Sequence, residues 1–484
     1  MKEFEFRARL EKILPLVLSY AADFYNFRNF EDSKIKMENV GLATFINKCH
    51  EGFKLAQKEL IEGLLDVEAE LKQVSADFSK IEKGKHRKDL VNDRDYNVLL
   101  RLRNNLIVQK GAFNAIANYI VWTIFKMDRT KVKAHMQRGM EHKTLAESNI
   151  ESLIEVAEHY NKDTDKFALI TDITSCIGYG DLLLVTKDAI RIVEVKEGKT
   201  NDIILDTLST GDLSIADKHL ESLPDRKSAI HFLSQFKRVL DQNKKADEVV
   251  DYIKTGVGYD RLFNMNKQII ISDVGEDRFL GKLLDEIDLL EKSEDEQRYF
   301  PFSCGLVGVI KQPTLSKIWD FKHFIYHSLR QSFDSCVYTS YGIKTREAQK
   351  HFMEYQDTEV FDLKNTLFMP SQEPLFLLLG AKRGIPVVMG DIVILTYLSP
   401  ALFFEMCEEM NLNPEFVNYK KHIASSRREI RANVANFGSN ALIYGCKDRK
   451  VDFMCGLLYR IVYEFQTPET VGRIMQAFVA SLCK

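Results

Sequence analysis

Two apolar stripes dominate the first third of the chain. Leu60, Leu64, Val67, Leu71, Val74, Phe78 and Ile81 recur at alternating spacings of four and three, which draws one seam down a long helix. Leu99, Leu102, Leu106, Phe113, Ile116, Ile120 and Ile124 draw a second. Between them lies "EKGKHRKDLVNDRD", polar and carrying Gly84, which suits the turn of an antiparallel helical hairpin whose seams face each other. The alternative is a dimerisation arm, in which the N-terminal helices make a homo-oligomer.

From about residue 131 the pattern changes. "KTLAESNIESLIEVAEHY" reads as a helix, with Ile150, Leu153, Ile154 and Ala157 on its apolar face. Strand-like "KFALITDI", "DLLLV" and "AIRIVEVK" follow, then a helix over "SAIHFLSQFKRVLDQ" and a strand at "KQIIIS". In that second helix Ala229, Phe232, Leu233, Phe236 and Leu240 make the expected buried stripe. Beyond about residue 280, strand-like "CGLVGVI", "IPVVMGDIVILTYL" and "NALIYGC" alternate with helical "PALFFEMCEEM" and "KKHIASSRREIRANVANF". The expected organisation is multidomain α/β. Residues 1–130 form a helical arm, 131–279 an αβββαβ core, and 280–484 a C-terminal α/β domain without a catalytic signature.

The second and third strands of that core carry charges at their ends. A hairpin closed through Thr186 to Ala189 sets Val185 opposite Ile190 and Leu183 opposite Ile192, and carries Asp181 opposite Glu194. Lys196 falls on the same face. Like charges directly opposite on a sheet repel, with Cβ atoms only about 5 Å apart. Such a pair persists when one group is protonated or a cation lies between them. Two hard oxygen ligands beside an ammonium suit Mg²⁺ or Mn²⁺.

Asp181, twelve intervening residues and then Glu194-Val195-Lys196 resembles the motif of the PD-(D/E)XK nuclease superfamily, over roughly residues 132–275. The order of elements is similar to that superfamily's restriction-endonuclease-like core. The resemblance implies that Asp181 and Glu194 bind the catalytic metal, that the main-chain carbonyl of Val195 adds a ligand, and that Lys196 orients or helps deprotonate the attacking water. It further implies a glutamate from the first core helix. Glu147, on the border of the apolar face, is the first choice and Glu151 the second. Gln235 and Arg238, on a side of the later helix with His231, are candidates to approach the substrate phosphate. Gly180 stands where the superfamily name has proline.

Composition narrows the partners. Net charge is −3, so nucleic-acid binding would rest on local basic patches. These are "KGKHRK" at 83–88, Lys420 with Lys421, and Arg427, Arg428 and Arg431, the last three sharing a helical face at i, i+1 and i+4. Contacts from such groups give affinity without sequence readout. The eight cysteines form no CxxC pair and read as reduced thiols of a cytoplasmic protein. No apolar run approaches a membrane span, and the charged start "KEFEFRARLEK" differs from a signal peptide. The expected function is metal-dependent phosphodiester hydrolysis, most simply by a DNA endonuclease of restriction or phage-defence type with a partner protein as trigger. A ribonuclease using the same metal site, or a non-catalytic nucleic-acid-binding scaffold, are the alternatives.

Overall fold

A computed structural model describes residues 1–25, 40–83, 90, 92–136, 144–145, 148–178, 180–186, 189–193, 195, 203, 207, 212–230, 232–234, 236–237, 257–260, 265–268, 275–314, 316–318, 320–322, 325, 360–424, 433–437, 440–446 and 449–482. Its contacts divide the chain into two compact units. The first comprises Met1 with Lys12–Ile269, the second Lys2–Glu11 with Ile270–Lys484. The fold is mixed α/β with antiparallel sheets.

Helix α1 (Glu3–Leu18) is divided between the units at Glu11, and in the first unit helix α2 (Tyr20–Phe24) leads into the hairpin of α3 (Leu42–Glu82) and α4 (Arg94–Ile124). The apolar seams face each other as the spacing requires. Leu60, Leu64, Val67, Leu106, Phe113, Ile116 and Ile120 are buried to 1 % exposure or less. Each such residue contributes roughly 1.5–3 kcal/mol by leaving water. Phe78 meets Tyr96 edge-on at 5.1 Å, and Lys110 on α4 reaches Glu68 on α3 at 2.7 Å. Leu102 departs from the expected seam and is 38 % exposed. Asp93 caps α4, accepting from the amides of Asp95 and Tyr96.

The hairpin packs on a small sheet. Helix α5 (Arg129–Ala134) and helix α6 (Ile150–Asn161) precede strands β1 (Phe167–Ile170), β2 (Leu182–Val185) and β3 (Ile190–Val193), which form an antiparallel meander in that order. Helix α6 starts at Ile150, later than the sequence pattern suggests. Helix α7 (Leu213–Ser222) follows, and residues 226–230, 232–234 and 236–237 are helical. There Phe232 is buried as expected, but Leu233 is 52 % exposed. Strands β4 (Val257–Asp260) and β5 (Met265–Gln268) pair with each other. Strand β5 thus begins two residues ahead of the expected "KQIIIS" and finds its partner in a segment the alternation did not mark.

The second unit holds a four-stranded sheet in the order β6 (Gln297–Phe302), β7 (Gly305–Lys311), β9 (Ile392–Leu398), β8 (Phe361–Asp362). Helix α8 (Leu280–Lys292) covers it through Leu283, Ile287 and Leu290. Helix α9 spans Leu375–Met389, breaks at Gly380 and ends at the left-handed Gly390. The stretch "IPVVMGDIVILTYL", which reads as strand throughout, is therefore helix up to Met389 and strand from Ile392. Helix α10 (Pro400–Glu409) is capped by Ser399. A second sheet of β10 (Glu415–Asn418), β11 (Asn436–Phe437), β12 (Asn440–Cys446) and β13 (Arg449–Asp452) centres on β12. The helix expected over "KKHIASSRREIRANVANF" is described only at its ends, as helix α11 (Tyr419–Ile423) and as β11. Helices α12 (Cys455–Val462) and α13 (Pro468–Leu482) close the unit. Arg278 there clamps the buried Glu373 with two bonds of 2.6 and 2.8 Å, and the Glu373 amide donates to the fully buried Glu464.

Candidate active site at the end of the three-stranded sheet

Strands β2 and β3 pair in the expected register, with Val185 opposite Ile190 and Leu183 opposite Ile192. All four pairs have residue numbers that sum to 375. The next backbone bond breaks that rule. The Asp181 amide donates to the Val193 carbonyl at 3.0 Å, although Val193 already faces Leu182. Asp181 and Leu182 thus share one partner, which is a β-bulge, a device that bends a strand and re-aims a side chain. Asp181 thus stands against Val193, and Glu194, the partner expected opposite it, lies outside the described residues.

Gly180 makes the bulge possible. Its φ is +76°, in the left-handed region, and a Cβ built on it would lie 2.0 Å from the Ile192 Cγ2 atom. Proline, locked near −65°, cannot take this conformation.

The bulge carries the Asp181 carboxylate to the main chain of Val195, whose amide donates to Asp181 Oδ2 at 2.6 Å. Two positions of the expected site are therefore brought together across fourteen residues of chain. Asp181 is half-buried, directly ahead of the buried β2. A carboxylate so placed keeps contact with solvent while one oxygen is held by a fixed donor. Glu194, Lys196, Glu147, Gln235, Arg238, Arg427, Arg428 and Arg431 lie outside the described residues, as do His231 and most of the 83–88 cluster. Glu151 is exposed on α6. Lys420 and Lys421 are exposed on α11 of the second unit. Among the described residues no three His, Cys, Asp or Glu side chains converge to hold a metal ion. Asp181 is the acidic residue of the bulge itself.

The loop leading to the bulge is pinned by the helices. Asn118 of α4, only 4 % exposed, bonds Ser175 twice, its amide nitrogen to the hydroxyl at 2.7 Å and its oxygen to the Ser175 amide at 2.9 Å. The Gly178 amide donates to the carbonyl of His135, just after α5. His135 is itself buried against Phe125 and has its Nδ1 2.6 Å from the Lys131 carbonyl. Burial pushes its imidazole down to about 4. Thr171, 2 % exposed and immediately after β1, donates its amide to the Asp181 carbonyl at 3.0 Å and its hydroxyl to the Gly180 carbonyl. The sequence offers no signal for Thr171 or Asn118, because a lone polar residue beside apolar neighbours reads as surface.

No protein-family model matches the chain, and no curated protein or solved structure shows significant similarity to it. Among the described residues no helix is long and apolar enough to cross a membrane.

Proposed function

We propose that the chain is a metal-dependent nuclease, with DNA the first substrate to test, and that its active centre lies where β2 and β3 part. The observation that carries this reading is the hydrogen bond between the Val195 amide and Asp181 Oδ2. It joins the first and third positions of the D…E-V-K pattern at a bulge, the kind of irregularity that accumulates beside active sites. In this reading the Asp181 carboxylate, the Glu194 carboxylate and the Val195 carbonyl hold Mg²⁺ or Mn²⁺, with Glu147 as a further donor. Such an ion, when bound, polarises a phosphoryl oxygen and lowers the pKa of water. Lys196 orients the attacking water and offsets charge developing on the phosphate. Gln235, Arg238 and the Arg427, Arg428, Arg431 cluster contact the substrate backbone, and the residues from 280 onward select or restrain it.

The same bond also suits a second reading. A carboxylate fastened to a main-chain amide is useful to a non-catalytic scaffold, whether or not a metal ever binds. Incubating the protein with plasmid, linear DNA, single strands and RNA, with and without Mg²⁺ or Mn²⁺, separates the possibilities. Cleavage only with metal, abolished in Asp181→Ala and Lys196→Ala, is the expected result, and cleavage confined to RNA would reassign the substrate. No cleavage under any condition, together with no calorimetric uptake of Mn²⁺, would overturn the nuclease and favour the scaffold.

A further inference from the structure

We infer that Thr171 is the positioning residue of the site, setting where the Asp181 carboxylate stands. The inference rests on the reading of Asp181 as a metal ligand. Thr171 holds both peptide groups beside the bulge at once, its amide on the Asp181 carbonyl at 3.0 Å and its hydroxyl on the Gly180 carbonyl. The first bond continues the β1–β2 ladder, since Ile170 pairs with Leu182. Any residue in this place could make it. The second requires a side-chain donor.

That second bond has a specific task. Gly180 sits in a conformation most residues avoid and is followed at once by the one-residue offset against β3. Left without a donor, the Gly180 carbonyl would be an acceptor beside a buried strand, and the Gly180–Asp181 peptide would keep only the bond from the Asp181 amide to the Val193 carbonyl, about which it could tilt. Such a tilt swings the Asp181 Cα–Cβ bond and moves the carboxylate away from the Val195 amide. Thr171 is itself held from the other side, its carbonyl accepting from both the amide and the hydroxyl of Thr174 at 2.8 Å. Thr174 is 1 % exposed, and the next residue, Ser175, is tied to Asn118. A chain of contacts therefore runs from helix α4 through Ser175, Thr174 and Thr171 to the peptide that bears Asp181. A carboxylate fixed this way meets an ion with little reorganisation, which favours affinity for the ion over turnover at saturation.

The test compares Thr171→Val, which keeps the shape and loses the hydroxyl, with Thr171→Ser, which keeps the hydroxyl. Both are measured in the full chain. In the valine variant the Mn²⁺ concentration for half-maximal DNA cleavage should rise about tenfold, with the rate at saturating Mn²⁺ within about threefold of the parent. The serine variant should stay within about twofold on both measures. The Val195 amide resonance, read in ¹⁵N-valine-labelled protein, should shift and exchange faster in the valine variant and remain in place in the serine variant. An unchanged Val195 amide in Thr171→Val, or a shifted amide with an unchanged Mn²⁺ requirement, overturns the inference. Should Thr171→Val fail to fold, Thr171→Cys substitutes a weaker donor of similar volume and must move both readouts in the same direction. If the parent protein neither cleaves nor takes up Mn²⁺, the nuclease reading fails on its own, while the Val195 amide still reports whether Thr171 sets the carboxylate.

Discussion

The two outer strands of the three-stranded sheet are finished in opposite ways. All four residues of β1 are fully buried, and its outward main-chain groups are met by side-chain amides. Gln57 of α3 donates to the Ala168 carbonyl at 3.1 Å and accepts from the Ile170 amide at 2.8 Å. Asn161, the last residue of α6, accepts from the Ala168 amide at 2.8 Å and donates to its carbonyl at 3.3 Å. Two amides thus stand in for a missing neighbour strand. Strand β3 by contrast pairs only with β2 among the described residues, with Ile190 40 % exposed and Arg191 exposed. The sealed side anchors the sheet to the helices, and the more exposed side leads in sequence to the E-V-K segment. Stability and proposed chemistry are therefore served by different edges of one sheet.

Substitutions on the two sides should fail differently. At the bulge between β2 and β3, Asp181→Ala is expected to lower metal-dependent cleavage by about a thousandfold or more while the protein stays folded, checked by cleavage assay and circular dichroism. Comparable loss of fold would erase the contrast between the edges.

Acid should attack the sealed side and the pinned loop next. His50 of α3 stacks on Phe167 of β1 at 5.6 Å, and burial pushes its imidazole down to about 4, as it does for His135. Both rings are neutral in the fold, and the unfolded chain takes up protons first as pH falls below the ordinary 6.5. Their contribution is complete above about pH 6.5 and is lost as pH falls toward and through about 4. The loss is on the order of 3 kcal/mol for each ring, read by urea titration across that range. His50→Phe should flatten the profile. A profile unchanged by that substitution would remove His50 from the account.

Smaller effects belong to the amides. Gln57→Leu leaves the buried Ile170 amide unmet and the Ala168 carbonyl with Asn161 alone, and should cost about 2 kcal/mol by urea titration, with the metal requirement for cleavage little changed. Asn161→Ala, partly reachable by water, should cost about 1 kcal/mol. If either variant altered the Mn²⁺ dependence more than it altered stability, the division of labour between the edges would be wrong.

How much of this was legible in the sequence follows from what each feature depends on. The α3–α4 hairpin and the β2–β3 register follow from spacing, because one apolar face per helix and alternate burial per strand leave a direct trace. The helix to Met389 was hidden because Ile385, Val387 and Val388 favour strands in isolation, while burial on the sheet of the second unit decides otherwise. Leu233 was placed inward by periodicity, yet it is exposed. The bulge is the costliest omission. One extra residue leaves the hydrophobic alternation of β2 intact, and only Gly180 hints at it. Gln57 and Asn161 were invisible for another reason. Each acts on a strand over a fold-dependent distance, 111 residues away for Gln57 and 7 for Asn161, and a lone amide on a helix looks like any solvated position.

The ties from Asn118 to Ser175 and from Gln57 to Ala168 and Ile170 bear on how this protein can be cut. A fragment spanning only 131–279 would start life with a raw strand margin and a slack loop ahead of Asp181. Transplanting the proposed catalytic piece into another scaffold therefore means taking residues 40–125 along, as a cradle inseparable from its cargo.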